Sequence, residues 1–317
     1  MFDVITIGSA TRDIFVDLKF LKKKDNYLCL IPGAKYDIEP PFMQTGGGAT
    51  NTAVSFSRFG LRTSIISRIG NDESGHLIKI NLKNENVNMH NLQQDKELGT
   101  AISIIISKIG IDRTVFTYRG ASQNILLKEI DLKLLKTKWF YITALRGNSL
   151  KILKPILEYA KENRIKVAIN PGSQELGLNE ILEYIDVLLL NKEEAIKLSG
   201  KSDIKDIFKK LTSFGVKTIA ITNGKNSVHV LYHNKILKAE PIKSKVVSTL
   251  GAGDAFCSAF VASLIQNKSI DNALRVGLFN SHSVVQHQGA KTGLLTIDNI
   301  KKNENLISKI KAESYKF

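Results

Sequence analysis

Short β-branched runs alternate with amphipathic stretches along most of this chain, and that rhythm constrains its fold more than any other feature. Residues 4–7, 63–69, 139–143, 167–170, 187–190 and 217–222 read as strands. Several are apolar along their whole length, as strands covered on both faces are. Residues 50–59, 74–84, 149–163 and 203–214 read as helices between them. Ser74 is the expected N-cap of the second, and Gly60 and Gly215 stop the first and the last. Parallel strands need long crossovers, and a helix supplies one while covering a sheet face. The pattern therefore predicts an α/β fold built on a doubly wound sheet.

The rhythm fails in two places. Residues 11–44 show no helix and carry turn residues at Pro32-Gly33 and Pro40-Pro41. Residues 100–118 read as a hairpin, with runs 101–106 and 114–118 flanking a turn at 110–113. These extra strands predict a small separate sheet, and a sheet leaving the main body serves naturally as a lid. A second hairpin pairs 228–232 with 235–239 across His233-Asn234. With no repeat and no flexible linker, the expected organisation is one domain, 1–317, with lid segments at about 11–44 and 100–118.

Charge is the unusual element of composition. Lys and Arg exceed Asp and Glu by 45 to 30, a formal net charge of +15. Such an excess suits a polyanion. Yet 36 of these residues are Lys and only 9 are Arg, aromatics are 7%, and the lysines are scattered, the densest run being Lys22-Lys23-Lys24. Compositional bias accounts for this better than a nucleic-acid face, which leans on Arg and on stacking rings. No apolar run approaches the ~18 residues of a membrane helix. Residues 1–8 read as a strand entering a glycine turn, not as a signal peptide. Cys29 and Cys257 form no framework, and the six His fall into no zinc spacing. The expected setting is cytoplasmic, with no membrane partner.

Two glycine-rich segments carry the chemistry. Ser248-Thr249-Leu250-Gly251-Ala252-Gly253-Asp254 follows an expected strand at Val246-Val247 and opens a helix. The N–H groups of Gly251, Ala252, Gly253 and Asp254 would face an anion there, aided by the helix dipole. An aspartate in an anion site repels phosphate, which suits a general base better than a structural part. The segment also admits a plain reading: a glycine turn with an acidic residue on the dipole. The second segment, Gly46-Gly47-Gly48-Ala49-Thr50-Asn51, again opens a helix and places an amide where it can hold a hydroxyl. No GxGxxG follows the first strand and no GxxxxGK[ST] occurs, so neither a Rossmann fingerprint nor a P-loop is present.

Together these segments resemble the ribokinase-like PfkB family of carbohydrate and nucleoside kinases. Gly46 to Asn51 is similar to its N-terminal signature, and Gly251-Ala252-Gly253-Asp254-Ala255-Phe256 matches its GAGDAF signature. Asp13 matches a substrate-hydroxyl-binding Asp, and Asn191-Lys192-Glu193-Glu194 the NxxE motif associated with magnesium and phosphate. Thr222-Asn223-Gly224 matches the start of TxGxxG, and Gly289-Ala290-Lys291-Thr292-Gly293 resembles the C-terminal turn beside nucleotide and monovalent cation. The resemblance covers nearly the whole chain. It implies a three-layer α/β/α sandwich with a small β-sheet lid, and phosphoryl transfer from ATP to a hydroxyl of a sugar or sugar-like molecule.

On that resemblance Asp254 is the base, and Gly251, Ala252 and Gly253 cradle the transferring phosphoryl group. Asp13, Gly46, Gly47, Gly48 and Asn51 bind substrate, and Thr222 and Gly224 bind nucleotide. Asn191 and Glu194 hold magnesium through water. Each has a plainer alternative: Asp13 as a turn cap, Asn191 and Glu194 as a capped helix start, Thr222 and Gly224 as a strand exit. Two departures stand out. Ser248 replaces the family's Asp, which counts against a potassium site, and Ser227 replaces the last Gly of TxGxxG. Arg119 and Arg146 both follow strands and serve a substrate anion, the ATP phosphates or a surface ion pair. Phe116 and Tyr118 are a stacking face or lid core. A nucleoside kinase and a non-catalytic sensor on the same fold remain the alternatives, and an exposed lid sheet admits a homodimer.

Overall fold

The computed structural model describes residues 1–18, 22–24, 27–108, 111–172 and 178–317. In chain order the strands are β1 (Phe2–Ile7), β2 (Thr11–Asp17), β3 (Lys22–Lys24), β4 (Tyr27–Cys29), β5 (Phe42–Gly46), β6 (Thr63–Gly70), β7 (Leu92–Asp95), β8 (Ala101–Lys108), β9 (Ile111–Tyr118), β10 (Thr137–Thr143), β11 (Lys166–Asn170), β12 (Val187–Asn191), β13 (Thr218–Asn223), β14 (Asn226–Tyr232), β15 (Lys235–Ala239) and β16 (Ala312–Lys316). The helices are α1 (Gly48–Arg58), α2 (Glu73–Asn84), α3 (Leu153–Glu162), α4 (Leu178–Ile181), α5 (Lys192–Ser199), α6 (Ile204–Thr212), α7 (Ala252–Ile265), α8 (Ile270–Val285), α9 (Ile297–Lys302) and α10 (Glu304–Ser308).

Ten strands form the main sheet in the order β16-β15-β14-β13-β12-β11-β10-β1-β6-β7. Pairings from β7 to β13 are parallel, and β13 to β16 are antiparallel. Alternate residues of each central strand face opposite layers. Ile5, Phe140, Ile142 and Leu188 pack on α3, α5 and α6 through Ile156, Ala195 and Phe208. Val4, Tyr141, Leu189 and Ala220 pack on α1, α7 and α8 through Phe56, Phe260 and Leu274. Phe56, Phe208 and Phe260 are fully buried, and each such ring contributes about 1.5–3 kcal/mol. The chain is thus a three-layer α/β/α sandwich. Beside it stands a four-stranded sheet, β5-β2-β8-β9, and the short pair β3-β4.

Several boundaries depart from the sequence reading for local reasons. Asp72, not Ser74, caps α2, its carboxylate accepting from the Gly75 N–H at 2.8 Å. The same carboxylate accepts from Thr100 N and Oγ1, which pins the helix to the start of β8. The helix expected over 149–163 opens as a 3₁₀ turn, Gly147–Ile152, before α3. Pro155 has no N–H and fits only the first turn of an α-helix, so α3 begins at Leu153. Val246 and Val247 form no strand. Both are more than half exposed, and the Val247 N–H donates to Val285 O rather than to a ladder. β7 and β16 went unread because their sequences, LQQD and AESYK, are polar edge strands without apolar alternation. Of the turn expected at 110–113, Gly110 lies outside the described residues, while Ile111 to Arg113 belong to β9.

Parallel strands leave their carboxyl ends together. β1 lies between β10 and β6, so the chain order reverses there, and a crevice opens beyond Ile7 and Thr143. Among the described residues no helix is long and apolar enough to cross a membrane.

Candidate active site

The loop after β1 leads directly into β2, which carries Asp13 back over the crevice. Asp13 is 5% exposed and accepts from Thr11 Oγ1 at 2.8 Å. β5 pairs antiparallel with β2 and brings Gly46 beside it. A Cβ at Gly46 would lie 1.8 Å from Asp13 Oδ2, so glycine is required there by the approach of a carboxylate. The chain then enters α1, and Asn51, in its first turn, is 5% exposed.

From the opposite end of the sequence, α7 starts at Ala252 after Gly251, which has φ +79°. A Cβ on Gly251 would lie 2.4 Å from the Cβ of Ala290. The sequence GAG therefore lets the helix start press against the 289–293 loop. Asp254 stands in the first turn and accepts from Asn51 Nδ2 at 2.9 Å. Burial pushes its carboxyl up to about 6; the charge of Asp13 adds to this, while Asn51 and Lys291 oppose it. Asn51 Oδ1 is buried with no hydrogen-bond partner, an acceptor aimed at something that donates. The Ala252 N–H is engaged locally, by a 3.3 Å turn contact to Thr249 O.

Asp13, Gly47, Gly48, Asn51, Gly251 and Asp254 line one cavity of about 270 Å³, with Ser103, Thr117, Arg119 and Arg146 on its other walls. Its described lining contains no aromatic ring. Asn191, Thr222, Gly224, Ala252 and Gly253 line a second, groove-like cavity of about 620 Å³ with Arg113, Lys225, Lys243 and His282. The two meet along the start of α7. Gly46 backs Asp13 rather than lining the cavity.

Asn191 and Glu194 form a reciprocal capping box on α5: Asn191 Oδ1 accepts from Glu194 N at 2.8 Å, and Glu194 Oε2 from Asn191 N at 2.9 Å. Their structural reading therefore holds, and Glu194 lines neither cavity. Burial raises the Glu194 carboxyl above its usual range. Among the described residues no cluster of three or more His, Cys, Asp or Glu is placed to hold a metal directly. Ser248 Oγ accepts from Leu250 N at 3.2 Å and shapes the turn before α7. Phe116 and Tyr118 are 58% and 51% exposed. The strand alternation turns them to the lid's outer face, so they neither stack in the cavity nor form a core.

The sequence reading named Lys291 only as part of a C-terminal turn, without the buried contacts of its side chain. Lys291 is 3% exposed and donates to Thr45 O (2.9 Å), Thr45 Oγ1 (2.8 Å) and Thr50 Oγ1 (2.9 Å). Both hydroxyls spend their own protons elsewhere, Thr45 on Asn81 and Thr50 on Gly46 O. The three contacts thus need three protons from Nζ, and only an ammonium has three. Burial pulls this group down to about 7, and the charges of Asp13, Glu85 and Asp254 hold it up. Gln44 adds to the tie, accepting from Ala290 N at 2.9 Å and donating to Thr292 Oγ1 at 3.0 Å. The sequence signal was present: a lysine inside a glycine turn, hidden by 35 others.

A sequence profile described as the pfkB family carbohydrate kinase matches residues 4–297. The ribokinase of Staphylococcus aureus (strain COL) is 26% identical over 307 residues, covering 94% of this chain and 98% of its own. Among solved structures, Arabidopsis thaliana ribokinase complexed with ribose and ATP superposes with a TM-score of 0.82 at 21% identity, over 98% of this chain and 99% of that one. A putative ribokinase II from E. coli in complex with ATP and Mg²⁺ gives 0.83 at 19% identity, over 96% and 100%.

Proposed function

The chain belongs to the pfkB family of carbohydrate kinases, and on that premise we propose that it transfers the γ-phosphoryl group of ATP to a hydroxyl of a sugar, with Asp254 as general base. The observation that carries this is the Asn51–Asp254 pair. A carboxyl group with a pKa of about 6 is mostly ionised at neutral pH yet more basic than an ordinary one, and an acceptor hydroxyl placed there meets a base for its proton. The orphaned Oδ1 of Asn51 takes a second hydroxyl, and Asp13 a third. The N–H groups at the start of α7, led by those of Gly251 and Gly253, face the transferring phosphoryl group and stabilise its charge. Phosphoryl transfer needs mainly this positioning and electrostatics.

Magnesium entering with ATP would neutralise phosphate charge. The capping box engages Glu194 through Oε2, so Glu194 Oε1 and Asn191 would hold the ion only through its waters, in keeping with the few direct ligands magnesium takes. Ser248 gives no carboxylate to a monovalent cation, and we expect equal turnover in KCl and NaCl. A sugar is favoured over a nucleoside because the described cavity is small and without a ring to stack on a base. An intact, activated Asp254 favours a kinase over a sensor, since binding alone needs no base.

Acceptor-dependent ADP release over ribose, fructose, sugar acids and adenosine tests the reading. Asp254→Asn should lower kcat by roughly 10²–10⁴ with the KM for ATP nearly unchanged. Near-normal turnover in that variant removes Asp254 as base, and turnover in EDTA removes magnesium. For assembly we propose a pair of copies meeting through the lid's outer face, where Met43, Ile104, Phe116 and Tyr118 are exposed. Phe116→Glu should then halve the mass measured by light scattering.

A further inference from the structure

Resting on the kinase reading, we infer that the sugar acceptor carries an acidic group, a carboxylate or a phosphate, held by Arg119 and Arg146 in the cavity that contains Asp254. Only nine arginines occur in the chain, and these two line the same small cavity. They reach it from different bodies. Arg119 follows β9 on the lid, and Arg146 lies three residues past the carboxyl end of β10 in the main sheet. The Arg119 guanidinium stands close enough to lower the pKa of Arg146, second only to burial, and Glu194 opposes it. Two like charges turned into one polar cavity repel when it is empty and attract an oxyanion shared between them. Guanidinium groups bind carboxylate and phosphate by paired N–H donors.

Arg146 Nη1 donates to the neighbouring Leu145 O at 3.4 Å, and the two carboxyl groups on the same cavity wall have hydrogen-bond donors of their own. Asp13 accepts from Thr11, and Asp254 accepts from Asn51. The ATP side has its own cations. The groove is lined by Arg113, Lys225 and Lys243 and by neither Arg119 nor Arg146. Arg113 also bonds Thr249, two residues before Gly251. A neutral sugar would leave the arginine pair without the ligand its charge suits, and a site built for a polar group discriminates strongly against an analogue lacking it.

Fructose, 2-ketogluconate and fructose 1-phosphate differ only at carbon 1, which is an alcohol, a carboxylate or a phosphate ester. Steady-state ADP release with each is the test, with fructose 6-phosphate as the reversed orientation. At least one acid should exceed fructose in kcat/KM by on the order of 100-fold, and which one does separates carboxylate from phosphate. Arg119→Ala should raise the acid's KM about tenfold or more, leave that for ATP unchanged, and be partly rescued by Arg119→Lys. Fructose or ribose used as well as the acids overturns the inference and leaves the kinase standing. So does an Arg119→Ala effect confined to the KM for ATP. Absence of acceptor-dependent ADP release with every compound overturns both.

Discussion

The two cavities that meet at α7 are built from different materials. The acceptor cavity is made of side chains held by tertiary contacts between distant segments: Asp13 against Gly46, Asn51 on Asp254, and Lys291 beneath them on Thr45 and Thr50. The groove we assign to nucleotide joins the start of α7, the strand exits at Asn191 and Thr222, and an exposed loop through Lys243 and Val246. A side-chain site selects by charge and shape, and it tolerates little. An open groove walled partly by a helix start and an exposed loop tolerates more. Substitutions that differ only in which cavity they touch should separate the two.

Among substitutions that leave the proposed base in place, the largest effect belongs to Gly46→Ala. Its φ is ordinary, so the substitution acts only through the new Cβ, which meets Asp13 Oδ2 at 1.8 Å. Asp13 must turn away. Acceptor kcat/KM should fall by roughly 10²–10³, as a displaced positioning group costs, while ATP affinity measured by calorimetry stays within about twofold. Equal losses for both ligands would mean that the acceptor cavity is not a separate unit.

Lys291→Met comes next. It strips three buried oxygens of their donor but also removes a buried charge, so the net loss of stability should be about 2–4 kcal/mol. Tm should drop by on the order of 5–10 °C. Because Lys291 ties the 289–293 loop to β5 and α1, the surviving activity should show a larger rise in acceptor KM than in ATP KM.

How much of this was readable in the sequence follows from the same division. Glycine-rich helix starts are local, and so the helix start that carries Asp254 was legible from the chain alone, as was the strand–helix order of the sandwich. Lys291, Gln44 and the Asn51–Asp254 contact join residues more than 200 apart, and a single sequence gives no distance between them. The polar edges β7 and β16 were missed because pairing, not apolar pattern, makes them strands. Val246-Val247 misled for the converse reason: two β-branched residues with no partner to pair with. Asn191 and Glu194 were ambiguous, and their capping box shows that one pair of side chains satisfies the helix start whether or not it also meets an ion's waters.

Asp254 offers a test in pH. Its folded pKa, about 6, lies above the ordinary value of 3.8. The base form is required for turnover, so kcat/KM should fall on the acid side with a midpoint near 6. Asn51→Ala removes a donor to the carboxylate and should move that midpoint upward. Stability runs the other way. A carboxyl whose folded pKa is raised favours the fold while protonated, and that contribution is lost as pH climbs from about 4 through about 6. Asp254→Asn should therefore raise Tm by a few degrees at pH 8, from at most about 3 kcal/mol, and not at pH 4. A gain of the same size at both values would mean that ionisation is not its cause.

The smallest effect should come from Gly224→Ala in the nucleotide groove, and its smallness is the point. Gly224 has φ +56°, and nothing lies within 4 Å of the Cβ that alanine would add. The substitution thus meets no side chain, in contrast to Gly46→Ala, and its only cost is the left-handed backbone, about 1 kcal/mol. Because the turn borders the groove, that strain should surface as a rise of no more than about fivefold in the KM for ATP, with acceptor KM unchanged. Urea denaturation with and without ATP measures both parts. A loss of acceptor affinity here, or a loss as large as that of Gly46→Ala, would show that the groove is held by the same tight network as the cavity, and the distinction between the two would be gone.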